Sequence, residues 1–251
     1  GSMARAGYSF NGWNTAADGS GTDYSAGTAY EITADATLYA QWTADTITVS
    51  FDANGGAGAP SSQTGPTDSS LTLSSTRPTR TGYTFTGWNT AANGSGTAYS
   101  PGSAITVPTS NLDLFAQWTI NTYAVTYNLN GGGGTAPTSQ SAQYNAQVTT
   151  RSNSGARVGY TFATWNTQAD GNGTDIAAGA SYTVTADVTL YAQWTAVTYT
   201  LAYNENSGSC AATTGSGPAD QTGIIETVQT VAGIESFVCT GYSFNGWNTA
   251  A

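Results

Sequence analysis

The chain has 251 residues, with fifteen acidic side chains against five basic ones and a formal charge of -10. All five basic residues are arginines, and lysine and histidine are absent. This excludes a basic footprint for nucleic acid, a Ser-His-Asp or Cys-His relay, and Schiff-base or P-loop chemistry that needs a lysine. With two cysteines, a zinc site of the usual type is disfavoured. Apolar residues make up 39% and aromatics 12%, too much for a disordered chain, while charged residues are only 8%. No apolar run approaches the ~18 residues of a membrane span.

Gly1-Ser2-Met3 reads as a cloning remnant at 1–3, so the natural N-terminus is expected to have been removed. Three residues further on begins the phrase Gly-Tyr-x-Phe-x-x-Trp-Asn-Thr, which opens at Gly7, Gly82, Gly159 and Gly241. A second phrase, Ala-Gln-Trp-Thr, ends at Thr43, Thr119 and Thr195, and its tryptophans are 76 residues apart both times. A period in the mid-seventies means a row of similar small domains. The expected division is 4–45, the C-terminal part of a repeat; 46–121 and 122–196, complete repeats; and 197–251, the N-terminal part of a repeat with a longer insert.

Residues 46–121 show the unit most clearly. Ile47, Val49 and Phe51 alternate onto one face of a first strand. Asp52-Ala53-Asn54-Gly55-Gly56 ends it with residues that tolerate positive φ. After a polar stretch, a short second strand is expected near Leu71-Thr72-Leu73, with counterparts at Gln147-Val148-Thr149 and Glu226-Thr227-Val228. Gly82–Trp88 is the next strand; Trp88 is out of step with Tyr83 and Phe85, which predicts a bulge at Gly87. Residues 89–97 form a loop with room for one helical turn at the alanines. Asp113–Thr119 is the last strand, with Leu114, Ala116 and Trp118 on one face. With no long 3.6-residue periodicity, the fold class is mainly β, α+β at most.

A unit of ~75 residues buries only about 60% of its unfolded surface, so its rings must supply much of the core. The expected core is Tyr8, Phe10, Trp13, Trp42, Tyr83, Phe85, Trp88, Trp118, Tyr160, Phe162, Trp165, Trp194, Tyr242, Phe244 and Trp247. Tyr24 and Tyr99, outside the main strands, are better candidates for an exposed binding strip. In an oxidising compartment Cys210 and Cys239 close a loop of about 30 residues, a disulfide worth ~3–4 kcal/mol in the chain-entropy account. The alternative is a pair of buried thiols.

Three motifs together carry a resemblance. They are Tyr-x-Val-x-Phe-x-x-Asn-Gly-Gly at Thr46–Gly56, Gly-Tyr-x-Phe-x-Gly-Trp at Gly82–Trp88, and Leu-Tyr-Ala-Gln-Trp at Leu38–Trp42. In these the chain resembles the Listeria–Bacteroides repeat family, the B-repeat type of bacterial surface proteins. The resemblance implies tandem β-grasp-like domains in an elongated row between a distal head and an anchor, with no catalytic residues and no cofactor. The last repeat departs from it, since Asn206-Ser207-Gly208 replaces Asn-Gly-Gly.

Two features invite a site. Asp18-Gly-Ser-Gly-Thr-Asp23 recurs as Asp170-Gly-Asn-Gly-Thr-Asp175, a pattern that makes Asp18, Asp23, Asp170 and Asp175 weak Ca²⁺ candidates. An ordinary Asx turn explains them more simply, and Asn93 and Ala98 replace both acids in the second repeat. Asp35 and Asp187, before the last strand, are better read as turn residues than as a glycosidase pair. The expected function is a non-enzymatic spacer or stalk of an extracellular, cell-surface adhesin. The alternative is a binding module whose repeated surfaces take a host protein, a glycan or a cell-wall polymer. Because residues 4–45 and 197–251 are complementary parts of a repeat, head-to-tail self-association is expected as well.

Overall fold

The computed structural model describes residues 3–249. It is mainly β, a tandem set of small sheets that divides into two compact units, one ending at Asn121 and the other starting at Thr122.

The first unit begins with strands β1 (Tyr8–Asn14), β2 (Asp23–Tyr24) and β3 (Tyr39–Ala44), an antiparallel sheet in the order β2-β1-β3. It continues with β4 (Thr46–Asp52), β5 (Gln63–Pro66), β6 (Ser70–Thr72), β7 (Tyr83–Asn89), β8 (Ala98–Tyr99), β9 (Ala104–Thr106) and β10 (Leu112–Ile120). These make a five-stranded sheet, β5-β4-β10-β7-β8, and a separate β6-β9 ribbon. The central pair, β4 and β10, is parallel, and the flanking pairs are antiparallel.

The second unit repeats this arrangement with β11 (Thr122–Asn128), β12 (Gln140–Gln143), β13 (Gln147–Thr149), β14 (Tyr160–Asn166), β15 (Asp175–Ile176), β16 (Ser181–Thr183) and β17 (Val188–Ala196). The sheet order is β12-β11-β17-β14-β15, with β13-β16 as the ribbon. Four short strands follow: β18 (Thr198–Leu201), β19 (Thr213–Thr214), β20 (Gln221–Ile224) and β21 (Val238–Cys239), paired as β18-β20 and β19-β21.

The alternation read in the first strand is the one that fills the core. Val49, Leu73, Trp88, Leu114 and Ala116 form the buried cluster of residues 46–121. Val125, Tyr127, Trp165, Leu190 and Ala192 belong to its counterpart. The bulge falls where the phase slip predicts it: Gln117 faces Gly87 and Trp118 faces Phe85, so Thr86 is left over. In β14 the same slip occurs around Ala163 with Thr164 in the glycine's place, so the bulge does not depend on glycine.

Two local expectations need correction, and a third stands. The hairpin partner of β4 is β5, whose Gln-Thr-Gly-Pro sequence reads as polar loop; an edge strand tolerates the proline, and Gly65 lies under Val107. The short strand expected near Leu71 is present as β6, paired with β9 in the ribbon. Glu226-Thr227-Val228 is not a strand, because Glu226 has φ +63° in the turn that ends β20.

The described parts join closely within each unit. A single residue, Asp45, separates β3 from β4, and its N–H donates to the Gly7 carbonyl at 2.9 Å. The Thr67 N–H in turn donates to the Asp45 carbonyl at 2.9 Å, and the Tyr8 hydroxyl donates to Asp68 at 2.8 Å, which raises the Tyr8 pKa. In the second unit Val197 alone separates β17 from β18 and donates to the Gly159 carbonyl at 2.8 Å.

Candidate functional site

The loop after the tryptophan is built around one asparagine. Asn89 is buried, its Oδ1 accepts from the N–H groups of Ala91 and Gly96 at 2.9 and 3.0 Å, and its Nδ2 donates to the carbonyls of Gly94 and Gly96. Asn14 and Asn166 are fully buried and do the same work in their copies. The glutamine of Ala-Gln-Trp-Thr reaches the loop from the adjacent strand, as when Gln117 donates to the Ala91 carbonyl. A Cβ at Gly96 would lie 2.1 Å from Thr90 Oγ1, so only glycine fits this close turn. The loop is a hydrogen-bonded turn, with no helix at the alanines.

The four calcium candidates are spread through these cages. Asp18 accepts from the N–H and hydroxyl of Ser20 at 3.1 and 2.7 Å, and Asp170 accepts from the N–H and amide of Asn172. The Ser20 hydroxyl and N–H lower the Asp18 pKa; at Asp170 the Asn172 N–H, then its amide, have this effect. Asp23 and Asp175 instead accept from the cage asparagines, Asn14 and Asn166, at 2.7 and 2.8 Å. In the second repeat Asn93 makes the same contacts to Ser95 that Asp18 makes to Ser20, so the position needs an acceptor and not a charge. Among the described residues, no group of three or more His, Cys, Asp or Glu side chains is placed to hold a metal ion. Asp187, of the carboxylate pair, accepts from the Ala124 N–H at 2.7 Å and so anchors the start of β11; Asn111 does this for Thr48.

The recurrent aromatics fall into three groups. Trp88 and Trp165 are buried in the cores. Trp13, Trp42, Phe85, Trp118, Phe162, Trp194 and Trp247 are half-buried, as are Tyr8, Tyr83 and Tyr160. Phe10, Tyr242 and Phe244 are exposed, at 36%, 65% and 44%, and are not core. Tyr24 and Tyr99 are not an exposed strip either: Tyr24 packs edge-on to Tyr30 at 5.0 Å, and Tyr99 packs on the core of the second repeat.

A feature missed in the sequence is Arg-x-Gly-Tyr. The guanidiniums of Arg5, Arg80 and Arg157 stack over the rings of Tyr8, Tyr83 and Tyr160 at 3.7, 3.9 and 4.0 Å. The signal was available as an arginine three residues before three of the four tyrosines. The fourth copy has Cys239 at this place, bonded to Cys210 with a Cα–Cα distance of 5.3 Å. The disulfide thus ties the segment before Gly-Tyr where the other copies use a cation on a ring.

The model of the Listeria-Bacteroides repeat domain matches four stretches, 1–41, 48–117, 123–193 and 199–251. A Gly-rich membrane protein of Evansella cellulosilytica is 36% identical over 217 residues, 83% of this chain and 24% of that protein. Internalin H of Listeria monocytogenes is 38% identical over 115 residues, 46% of this chain and 20% of that protein. The chain therefore spans about a quarter or less of these relatives. No solved structure matches. Among the described residues no helix is long and apolar enough to cross a membrane. The four matches cover nearly the whole sequence, and the chain belongs to the Listeria-Bacteroides repeat family.

Proposed function

We propose that these repeats are a non-enzymatic spacer of a bacterial cell-surface protein, holding another part of that protein away from the cell. The observation that carries this reading is the joint between repeats. One residue links β3 to β4 and one links β17 to β18, and each is bonded back to the glycine of the preceding Gly-Tyr strand. Linkers that short leave little freedom for a hinge. Thr67 and Ile225 reinforce the joints, since a Cβ at Gly7 or Gly159 would collide with them at 2.7 and 2.1 Å. The strand order, with a parallel central pair between two hairpins, supports β-grasp-like units whose crossover helix is replaced by loop and ribbon.

Small-angle scattering of the chain tests the reading. An extended pair-distance distribution that Gly7→Val and Gly159→Val make more flexible is expected; a compact globule overturns it. A binding role is the second reading, favoured by the three recurrent Arg-Tyr stacks beside half-buried indoles.

A further inference from the structure

We propose that each Arg-x-Gly-Tyr stack, with the indole beside it and, at Arg80 and Arg157, the glycine turn, is a subsite for a uronic acid residue, so that successive repeats grip an acidic polysaccharide. This rests on the binding reading and holds whether or not the row is also a spacer. In the second repeat Gly55, Gly56, Arg80, Tyr83, Phe85 and Trp118 line an open groove of about 760 Å³. A Cβ on Gly56 would meet Trp118 at 2.5 Å, and one on Gly132 would meet Trp194 at 2.5 Å, so glycine sets the indole against the turn in both repeats. Arg80 lies near Gly55 on one hand and the Tyr83 ring on the other, and Arg157 lies likewise between Gly131 and Tyr160. The phenyl ring beside the indole recurs too, with centroid separations of 5.5, 5.6 and 6.0 Å for Phe10–Trp42, Phe85–Trp118 and Phe162–Trp194.

Among the described residues the charge of these arginines meets a tyrosine ring and no opposite charge. Fifteen acids face five arginines, yet among the described residues Arg5, Arg80 and Arg157 have neither a carboxylate partner nor a hydrogen-bond acceptor for the guanidinium. A guanidinium fork held flat on a ring is pre-organised for a carboxylate. The adjacent indole and phenyl rings suit the C–H face of a pyranose. An open groove passes a polymer better than it encloses a small ligand, and repetition along the chain suits a repeating ligand. The fourth copy, with Cys239 at the arginine's place, lacks the subsite.

The test is affinity electrophoresis of the whole chain in gels containing polygalacturonate, neutral galactan or polyglutamate. Polygalacturonate alone should retard the protein, against its own negative charge. Arg80→Gln should weaken retardation about tenfold, as expected for losing one charge-assisted fork. Arg5→Gln/Arg80→Gln/Arg157→Gln together should weaken it roughly a hundredfold or more through lost avidity. Arg77→Gln, which removes the same charge outside the groove, should leave it unchanged. Indole N–H shifts in the unmodified chain provide a readout that needs no variant: polygalacturonate should move Trp118 and Trp194 and spare Trp247. Equal retardation by galactan, preference for polyglutamate, no retardation, shifts at Trp247 alone, or indifference to the triple substitution in folded protein would each overturn the proposal. Scattering in free solution decides the spacer reading separately.

Discussion

Residues 7–17 and 241–251 have the same eleven-residue sequence, and the described part of the second copy, 241–249, folds differently from 7–15. In the first copy Tyr8–Asn14 is a strand, paired with β3 from Tyr8↔Ala44 to Asn14↔Tyr39, and Asn14 is fully buried. In the second, Tyr242–Asn248 forms no strand and Tyr242 is 65% exposed. The tryptophan nevertheless docks. Trp247 lies 4.9 Å from Tyr203 and donates to the Ala232 carbonyl at 2.8 Å, as Trp165 does with Tyr127 and the Arg151 carbonyl. The first copy shows the converse, with Phe10 against Trp42 but no described ring in the place of Phe51 or Tyr127. The phrase thus has two readers. Its tryptophan is recognised by the first strand of a repeat, its tyrosine and phenylalanine by the last.

Removing the ring should separate these contributions most strongly. Trp165→Ala should cost about 3–5 kcal/mol, as for a fully buried aromatic. Trp247→Ala should cost about 1–2 kcal/mol, since only part of its area leaves water. Urea unfolding followed at the remaining indole resonances measures both; equal losses would break the comparison. Reducing Cys210–Cys239 comes next. It should destabilise the segment after Val197 by about 3–4 kcal/mol, the chain-entropy value for a loop of this length. Amide exchange with and without reductant should show the loss there and no change in β11–β17.

Asn89→Ala should cost about 1–3 kcal/mol, because it leaves buried N–H and carbonyl groups of the 89–97 loop without partners. Asn248→Ala, at an exposed equivalent, should cost less than Asn89→Ala; thermal unfolding of the two variants compares them. The smallest effect is that of pH. Hydrogen bonds to the carboxylates hold the Asp18 and Asp170 pKa below the ordinary 3.8. Their contribution is therefore present above that ordinary value and lost as pH falls through the lower folded one. Amide protection of Ser20 and Asn172 should decline there, while Ser95, bonded to the neutral Asn93, should not respond.

Much of this architecture was legible. The alternation of Ile47 and Val49, the phase slip at Gly87 and the apolar face of Leu114 and Ala116 appear as strands, bulge and core because each depends on neighbours in the same segment. The hairpin partner Gln63–Pro66 was not legible, since an edge strand of polar residues owes its pairing to β4 and not to its own propensity. The cage asparagines passed as loop residues because their burial is set by the strand opposite. The arginine stack was visible as a spacing, but that no described carboxylate meets it is a fact of three dimensions.

The sequence by itself determined the period, the family, the β character and which residues could stand at each core position, because these follow from local pattern and repetition. Only the tertiary structure decided which copy of the phrase becomes a strand. That choice rests on whether a neighbouring strand supplies hydrogen bonds and covers the rings, and eleven identical residues carry no information about their neighbours.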